Sequence, residues 1–153
     1  MKRIYQIQLI ISCIVGIGAL SGGVFGIIDP SGKLIGMPTD VLKTGPFTNF
    51  LIPALFLFFV IGVGHLISFF FIKRKLKFHV YISGGLGCIL VAWILIQCYI
   101  MNAINVLHVI FFLVGLVEGS LALYMLVKLK QFPFHEKDQS IGENYGNGDS
   151  PKL

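Results

Sequence analysis

The stretch FLIPALFLFFVIGVGHLISFFFI, residues 50–72, contains 23 consecutive residues without a Lys, Arg, Asp or Glu. As an α-helix with a rise of about 1.5 Å per residue, it is long enough to cross the roughly 30 Å hydrocarbon core of a bilayer. It lacks the period-2 alternation of a barrel strand, and it is apolar on all sides, unlike a surface helix of a soluble protein. The stretch therefore predicts a transmembrane helix.

Three further apolar runs of similar length flank this one, at 5–28, 80–101 and 107–127. Apolar residues make up 56% of the 153-residue chain and charged residues only 12%, which excludes the composition of an ordinary soluble domain. Because lipid offers no partners to unpaired backbone groups, helices are the expected spanning elements. We predict an all-α membrane four-helix bundle over residues 1–130, with an outer loop at 29–49 and a disordered cytoplasmic tail at 131–153.

Cationic residues lie mostly on one side of the predicted membrane. Ten of the twelve Lys and Arg residues fall before the first run, between the second and third runs, or after the fourth; only Lys33 and Lys43 lie opposite. This bias predicts that both termini are cytoplasmic. The net charge of +5 then comes from the cationic residues that set the orientation of the chain in the membrane. It would attract anionic lipid headgroups, but without a basic domain or a stacking platform it does not indicate nucleic-acid binding.

The N-terminus also fits a second interpretation. A basic start followed by an apolar run, with Ala19-Leu20-Ser21 as a small-residue cleavage site, is typical of a signal peptide. The apolar run continues beyond that point to Ile28, which favours a retained first span. Cleavage would leave the predicted orientation of the other three spans unchanged.

The cysteines argue against thiol redox chemistry. Disulfide exchange needs one thiol to attack and a second to resolve, whereas Cys13, Cys88 and Cys98 are isolated and lie inside predicted spans. We find no complete catalytic, metal-binding or cofactor-binding motif in the sequence. We therefore predict a protein that is not an enzyme and carries no cofactor.

Two ionisable residues inside the predicted spans are the clearest functional candidates, because a charge at the bilayer centre costs about 3 kcal/mol on insertion scales. Glu118 lies near the middle of the fourth span and His65 in the second. Both spans run inward, which places the two residues within about one turn of the same depth. They could form a proton-linked or ligand-binding site, or a buried pair that only fixes helix register. Gln97 in the third span is a third polar candidate that needs a partner in lipid.

Small residues recur at helical spacing in two spans. Such residues let helix backbones approach in lipid, where hydrophobic driving force between helices is small. We predict helix packing, within the bundle rather than at a homo-oligomer seam, on the glycines Gly18, Gly22, Gly26, Gly115 and Gly119. A similar small-residue face in the third span comprises Gly84, Cys88 and Ala92.

The outer loop begins with Asp29-Pro30-Ser31-Gly32, which has the residue preferences of a type I turn. The loop also carries several large apolar residues, so we expect it to lie on the membrane surface or to cap the bundle. A structural lid is favoured over a ligand vestibule, because most such loops have no ligand to recognise.

Several of these residues together resemble a known group of proteins. They are the DPSG turn at 29–32, Gly36, Pro46-Phe47, the LIP at 51–53, Trp93 with Gln97 (W-x3-Q), and Gly115-Leu116. This pattern is similar to that of a widespread family of small, uncharacterised bacterial four-helix integral membrane proteins. The resemblance covers about residues 15 to 125. It implies the same topology and a bacterial cell membrane, and it implies no activity.

Three classes of function remain open from the sequence. The favoured one is a noncatalytic multi-pass membrane component that acts through partners or lipids. The second is a subunit of a small oligomeric transporter or channel with a buried Glu/His site, and the third is a quinone-associated redox accessory protein. Expected partners are membrane lipids, with a homo-oligomer or another membrane protein left open.

Overall fold

The computed structural model describes residues 2–37, 39–42, 44–102 and 104–129, and within them the fold is all-α. Four helices are long and apolar enough to cross a membrane, which confirms the predicted fold class. The predicted tail at 131–153 lies outside the described residues. The helices are α1 (Lys2–Ile28), α2 (Leu51–Lys73), α3 (His79–Met101) and α4 (Val106–Lys128).

Local sequence explains where these helices end. After α1, Asp29 and Pro30 begin a turn. Helix α3 ends at Met101 and is followed by Asn102, which adopts the left-handed conformation (φ 46°) that asparagine tolerates well. Asn105 caps the start of α4: its side chain accepts from the backbone N–H of His108, and its own N–H donates to His108 Nδ1. The ends of the predicted spans differ from the ends of the helices by at most three residues. The largest difference is at the start of the first span, which is predicted at Tyr5 and begins at Lys2 in the structure.

Helix α2 is not uniform. It is α-helical over Leu51–Phe56, π-helical over Leu57–Val63 and α-helical again over Gly64–Lys73. A π segment interrupts the regular backbone hydrogen-bond ladder, and such segments are frequent at functional sites. This one ends shortly before His65.

The bundle has two distinct ends. The first carries the start of α1, the lysine-rich connection at 74–78 and the end of α4, and is called here the basic end. The second carries the described residues between α1 and α2 and between α3 and α4, and is called the loop end. There, the Thr44 N–H donates to the Ile100 carbonyl at 3.0 Å, and the Phe50 N–H donates to the Pro30 carbonyl at 2.9 Å. The first bond ties the outer loop to α3, and the second joins the two ends of the loop.

Helix α1 packs against α2 through glycines that overlap only in part with the predicted set. A Cβ added to Gly23 would lie 2.6 Å from Phe58 Cβ, and one on Gly16 would lie 3.0 Å from Leu66 Cδ2. Of the predicted set, Gly26 is tightly packed, since its Cβ would lie 2.6 Å from Ala54 Cβ. Gly18 and Gly22 are exposed, and a Cβ on Gly18 would meet only the tip of Phe111, at 3.7 Å. Helix rotation, which the four-residue spacing does not specify, turns Gly18 away from α2, whereas a Cβ on Gly22 would lie 3.3 Å from Leu57 Cδ2 of that helix.

The contact between α3 and α4 centres on Gly87. A Cβ there would lie 2.8 Å from the Gly119 backbone nitrogen and 3.1 Å from the Gly115 carbonyl oxygen, so only glycine allows this approach. Gly115 therefore packs between helices, whereas a Cβ on Gly119 would meet no atom within 4 Å. Of the small-residue face on α3, Cys88 and Ala92 are exposed and line an open groove along α3 and α4.

Asp29 organises the start of the outer loop. Its carboxylate accepts hydrogen bonds from the Ser31 hydroxyl, the Ser31 N–H (3.1 Å) and the Leu34 N–H (2.7 Å), and the Gly32 N–H closes the turn on the Asp29 carbonyl at 3.0 Å. These bonds, the Ser31 hydroxyl first, hold the pKa of Asp29 below its ordinary value. Gly32 has φ 72°, and a Cβ there would collide with the Met37 carbonyl, so the turn requires glycine.

Candidate functional site

Three helices bring a carboxyl, an imidazole and a hydroxyl together in the bundle interior. His65 Nε2 lies 3.1 Å from Glu118 Oε2, and the Ser12 hydroxyl donates to Glu118 Oε1 at 3.2 Å. All three side chains are completely buried. They lie 8 to 10 residues from the basic end of their helices, or about 12–15 Å along the axis.

The protonation of this group follows from its contacts. His65 Nδ1 lies 2.7 Å from the Ile61 carbonyl, which can only accept, so Nδ1 carries a hydrogen and donates it. The contact between Nε2 and Oε2 then needs one further proton, which resides either on the carboxyl or on the ring. Either position leaves the pair electrically neutral as a whole. A pair that holds one shared proton is thus compatible with burial in lipid without any other compensating charge.

The surroundings of the pair exclude other charges. On α3 the neighbour is Gly87, where an added Cβ would lie 3.3 Å from Glu118 Cβ, and on α1 it is Ser12. His65 is the one titratable side chain that contacts Glu118 among the described residues. In this low-dielectric setting, the position of the shared proton is the main electrostatic variable of the site.

Two more polar side chains lie one turn closer to the basic end. Gln8 precedes Ser12 by four residues on α1, and Ser68 follows His65 by three on α2; both are fully buried. Neither the amide atoms of Gln8 nor the Ser68 hydroxyl has a hydrogen-bond partner among the described residues. Buried polar groups of this kind are normally satisfied by ordered water or a ligand.

The polar interior continues to the basic end through α3. His79 stacks on Tyr5 with ring centroids 5.4 Å apart, its Nδ1 donates to the Leu76 carbonyl, and its Nε2 is buried without a partner in the described chain. Ser83, one turn further in, is buried and donates to the Val80 carbonyl at 3.2 Å. Buried polar side chains therefore occur between Glu118 and the basic end, beside an apolar cluster that contains Val80 and Met125.

Towards the loop end the interior becomes apolar within one turn. Val15 follows Ser12 by three residues, Ile61 precedes His65 by four, and Leu90 follows Gly87 by three; all three are almost fully buried. They belong to a core that also contains Trp93, which stacks on Phe56 with centroids 4.2 Å apart. Val15, Ile61 and Leu90, called here the apolar septum, separate the Glu118–His65 pair from what lies beyond.

Beyond the septum is a cavity of about 300 Å³ in the loop-end half of the bundle. Val15, Ile61 and Leu90 form its floor, and Met37 and Phe50 from the outer loop reach its opposite end. Its walls are mostly apolar, with polar side chains towards the loop end from Gln97, Asn105 and His108.

The predicted polar candidates thus fall into two places. Glu118 and His65 contact each other, whereas Gln97 is half-buried and lines the loop-end cavity on the other side of the septum. The similar depth of Glu118 and His65 along their spans predicts the contact between them. Depth alone does not show that Gln97 lines a separate cavity. No group of three or more His, Cys, Asp or Glu side chains within the described residues is arranged to hold a metal ion.

Several residues of the site carry no strong signal in the sequence. Ser12, Gln8 and Ser68 are uncharged, and such residues are common in spans. One available clue is that Gln8, Ser12, Val15 and Ala19 recur every three or four residues and form the buried face of α1. Gly87 is one of several glycines and serines close together in α3, so its special contact could not be singled out.

Comparisons with protein-family models, with curated proteins and with solved structures give no match for this chain. The resemblance to the bacterial four-helix family stays a prediction. The geometry of the pair and of the cavity is therefore the basis for the proposed function.

Proposed function

We propose that this chain is a noncatalytic integral membrane protein that binds one amphipathic, lipid-class molecule in the loop-end cavity. The observation that carries the proposal is the cavity itself. At about 300 Å³ it lies at the lower end of the range for small-molecule sites and is about twice the ~150 Å³ apolar cavity that holds benzene. Its apolar lining suits an acyl or isoprenoid segment.

The route of entry supports a ligand that arrives from the bilayer. Gly18, Gly22 and Leu107 line the cavity and are nevertheless exposed on the surface of the bundle. These residues belong to α1 and α4, so the cavity opens sideways at the seam between those helices. In a membrane-embedded chain this seam faces lipid. Gly18 and Gly22, which the sequence suggested as part of a packing face, lie beside this opening.

The polar groups of the cavity suit a single head group. His108 Nδ1 accepts the Asn105 N–H at 3.2 Å, which leaves the hydrogen of the neutral ring on Nε2, where it can be donated. The Gln97 amide both donates and accepts. Both residues lie near the loop end, where a lipid head group would meet the membrane surface. A hydroxyl or carbonyl head group matches this set of donors and acceptors.

The same geometry favours binding without catalysis. Glu118 and His65 are the acid and the imidazole that contact each other. They lie behind the apolar septum and cannot touch an occupant of the cavity. His108 is the one titratable side chain among the described residues that line the cavity. A single imidazole engaged in a helix cap defines no reaction.

Native mass spectrometry of the chain released gently from its own membrane tests the proposal. We expect one retained lipid-class molecule per chain, and we expect Gly18→Leu to lose it, because that side chain would project into the cavity. Gly85→Leu is the matched control, since Gly85 lies away from the cavity and a Cβ there would meet no atom within 4 Å. A chain with only bulk lipid, or a Gly18→Leu variant that keeps the ligand, would refute the proposal. A retained quinone would favour the redox-accessory role.

A second candidate, a subunit of a small proton-linked oligomeric transporter, is favoured by one observation, the buried Glu118–His65 pair. Four helices are few for a monomeric carrier, so this role requires self-association. The exposed groove beside Cys88 and Ala92 offers a face for it. Solute flux in proteoliposomes that Glu118→Gln abolishes would support the transporter, and flux that persists in that variant would count against it.

We also propose that both termini face the cytoplasm of a bacterial cell. The basis is the cation bias, which places the basic end inside. Cysteine substitutions at Lys33 and Lys77, labelled in intact cells with a membrane-impermeant reagent, test this orientation. Labelling at position 33 alone is the expected result, and labelling at position 77 alone would invert the topology.

A further inference from the structure

We infer that Glu118 and His65 form a proton-exchange site that communicates with the basic end of the bundle through a hydrated path along Gln8 and Ser68, and is closed towards the loop-end cavity. This site does not depend on the proposed ligand. Its basis is the shared proton, the unpartnered polar side chains and the apolar septum.

The buried pair holds one proton that can exchange. Because Nδ1 of His65 is committed to the Ile61 carbonyl, the pair shares this proton between Nε2 and Oε2. Transfer between these two atoms breaks an O–H bond and forms an N–H bond, or the reverse, and leaves the net charge unchanged. Exchange of this proton with solvent requires a donor or acceptor that can reach the pair.

Ordered water beside Gln8 and Ser68 would supply that donor and acceptor. Gln8 offers two N–H donors and a carbonyl acceptor, and Ser68 offers a hydroxyl; none of these atoms has a partner within the described chain. An unsatisfied buried amide or hydroxyl costs several kcal/mol in an apolar medium, so we expect ordered water at these atoms. Water bound there would lie within about one helical turn of Ser12 and His65, on their basic-end side.

The polar path leads towards one end of the bundle. Ser83 and His79 are also buried on this side, among the apolar side chains of Val80 and Met125. His79 Nε2 is unpartnered within the described chain, and the ring stacks on Tyr5 at the basic end. In the opposite direction the next turn of three helices supplies only the aliphatic side chains of the septum. Protons move along hydrogen-bonded groups and water, and the septum provides neither. The unpartnered polar groups within one turn of the pair thus lie on its basic-end side, and this placement is the basis for access from that end.

Hydrogen–deuterium exchange of the full chain in lipid nanodiscs, followed by infrared spectroscopy, tests this assignment. Bands that disappear in Glu118→Gln report the shared proton, whether it resides on the carboxyl or on the ring. In the wild-type chain we expect these bands to shift in deuterated buffer faster than the protected backbone amides of α2 exchange, because a hydrated path needs no unfolding.

The matched variants are Gln8→Leu, on the proposed path, and Gln97→Leu, which makes the same change in the loop-end cavity. We expect Gln8→Leu to slow the exchange by about tenfold or more, the effect of adding some 1.4 kcal/mol to a barrier, and Gln97→Leu to leave it unchanged. Ser68→Ala provides a smaller change on the same path, with the same expected direction, should Gln8→Leu fail to fold.

Three results would overturn the inference. Exchange no faster than that of the α2 amides would show a sealed, structural pair. Slowing by Gln97→Leu would place the access route in the cavity. Rates unchanged in both Gln8→Leu and Ser68→Ala would show that neither residue lies on the path. None of these results bears on whether the cavity retains a lipid-class molecule, so the two proposals fail separately.

Discussion

Replacement of Glu118 by two residues of different chemistry tests the proposed arrangement of the buried pair. In Glu118→Gln, the amide oxygen can accept from Ser12 and the amide nitrogen can donate to His65 Nε2, as long as the ring is neutral with its hydrogen on Nδ1. Both contacts of the carboxyl are then retained. In Glu118→Leu, both partners are left buried and unsatisfied.

The magnitudes follow from those contacts. Each unsatisfied buried polar group costs about 1–3 kcal/mol, so Glu118→Leu should lower the free energy of unfolding by about 2–6 kcal/mol. With the shared proton on the carboxyl, Glu118→Gln should cost about 1 kcal/mol or less, because it exchanges one neutral hydrogen bond for another.

Reversible unfolding of the reconstituted protein, with wild type and both variants measured in the same lipid, would give these differences. We expect a wide gap between the two variants. If Glu118→Gln is as destabilising as Glu118→Leu, the native pair is a carboxylate bound to an imidazolium, because only an ion pair would lose that much on neutral substitution.

Three further predictions concern helix packing and the outer loop. Gly87→Ala should lower the free energy of unfolding by about 1–3 kcal/mol, since its Cβ would lie 2.8 Å from a backbone atom of α4. In the same unfolding assay, the control Gly85→Ala should be neutral or stabilising, because its Cβ would meet no atom within 4 Å. Gly23→Ala should likewise destabilise by about 1–3 kcal/mol and Gly18→Ala should not; equal effects would mean that α1 is rotated relative to this structure. For Asp29, whose pKa is lowered by the Ser31 and Leu34 hydrogen bonds, the stabilisation is present above its ordinary pKa of 3.8 and is lost as the pH falls through the lowered value. The stability difference between wild type and Asp29→Ala should therefore be constant at neutral pH and shrink below about pH 3.8. A difference that persists in acid would show that the pKa of Asp29 is not lowered by folding.

The sequence by itself determined the helices of this protein. Spans such as 50–72 are apolar for the full thickness of a bilayer, and in lipid a backbone has no alternative to satisfying its own hydrogen bonds. Sequence also placed Glu118 and His65 at similar depth, because depth follows from the fixed rise per residue and the direction of each helix.

Tertiary structure decided everything that depends on which helices are neighbours and how each is rotated. It brought Glu118 and His65 into contact, added Ser12 from a third helix, and separated Gln97 from them by the septum. Gly18 and Gly23 both lie on α1, but the rotation of this helix places Gly23 against α2 and turns Gly18 away from it. A span that is apolar all round has no amphipathic face to fix its rotation, so the local pattern cannot state which side is inside; only the fit of one helix against the others supplies that information.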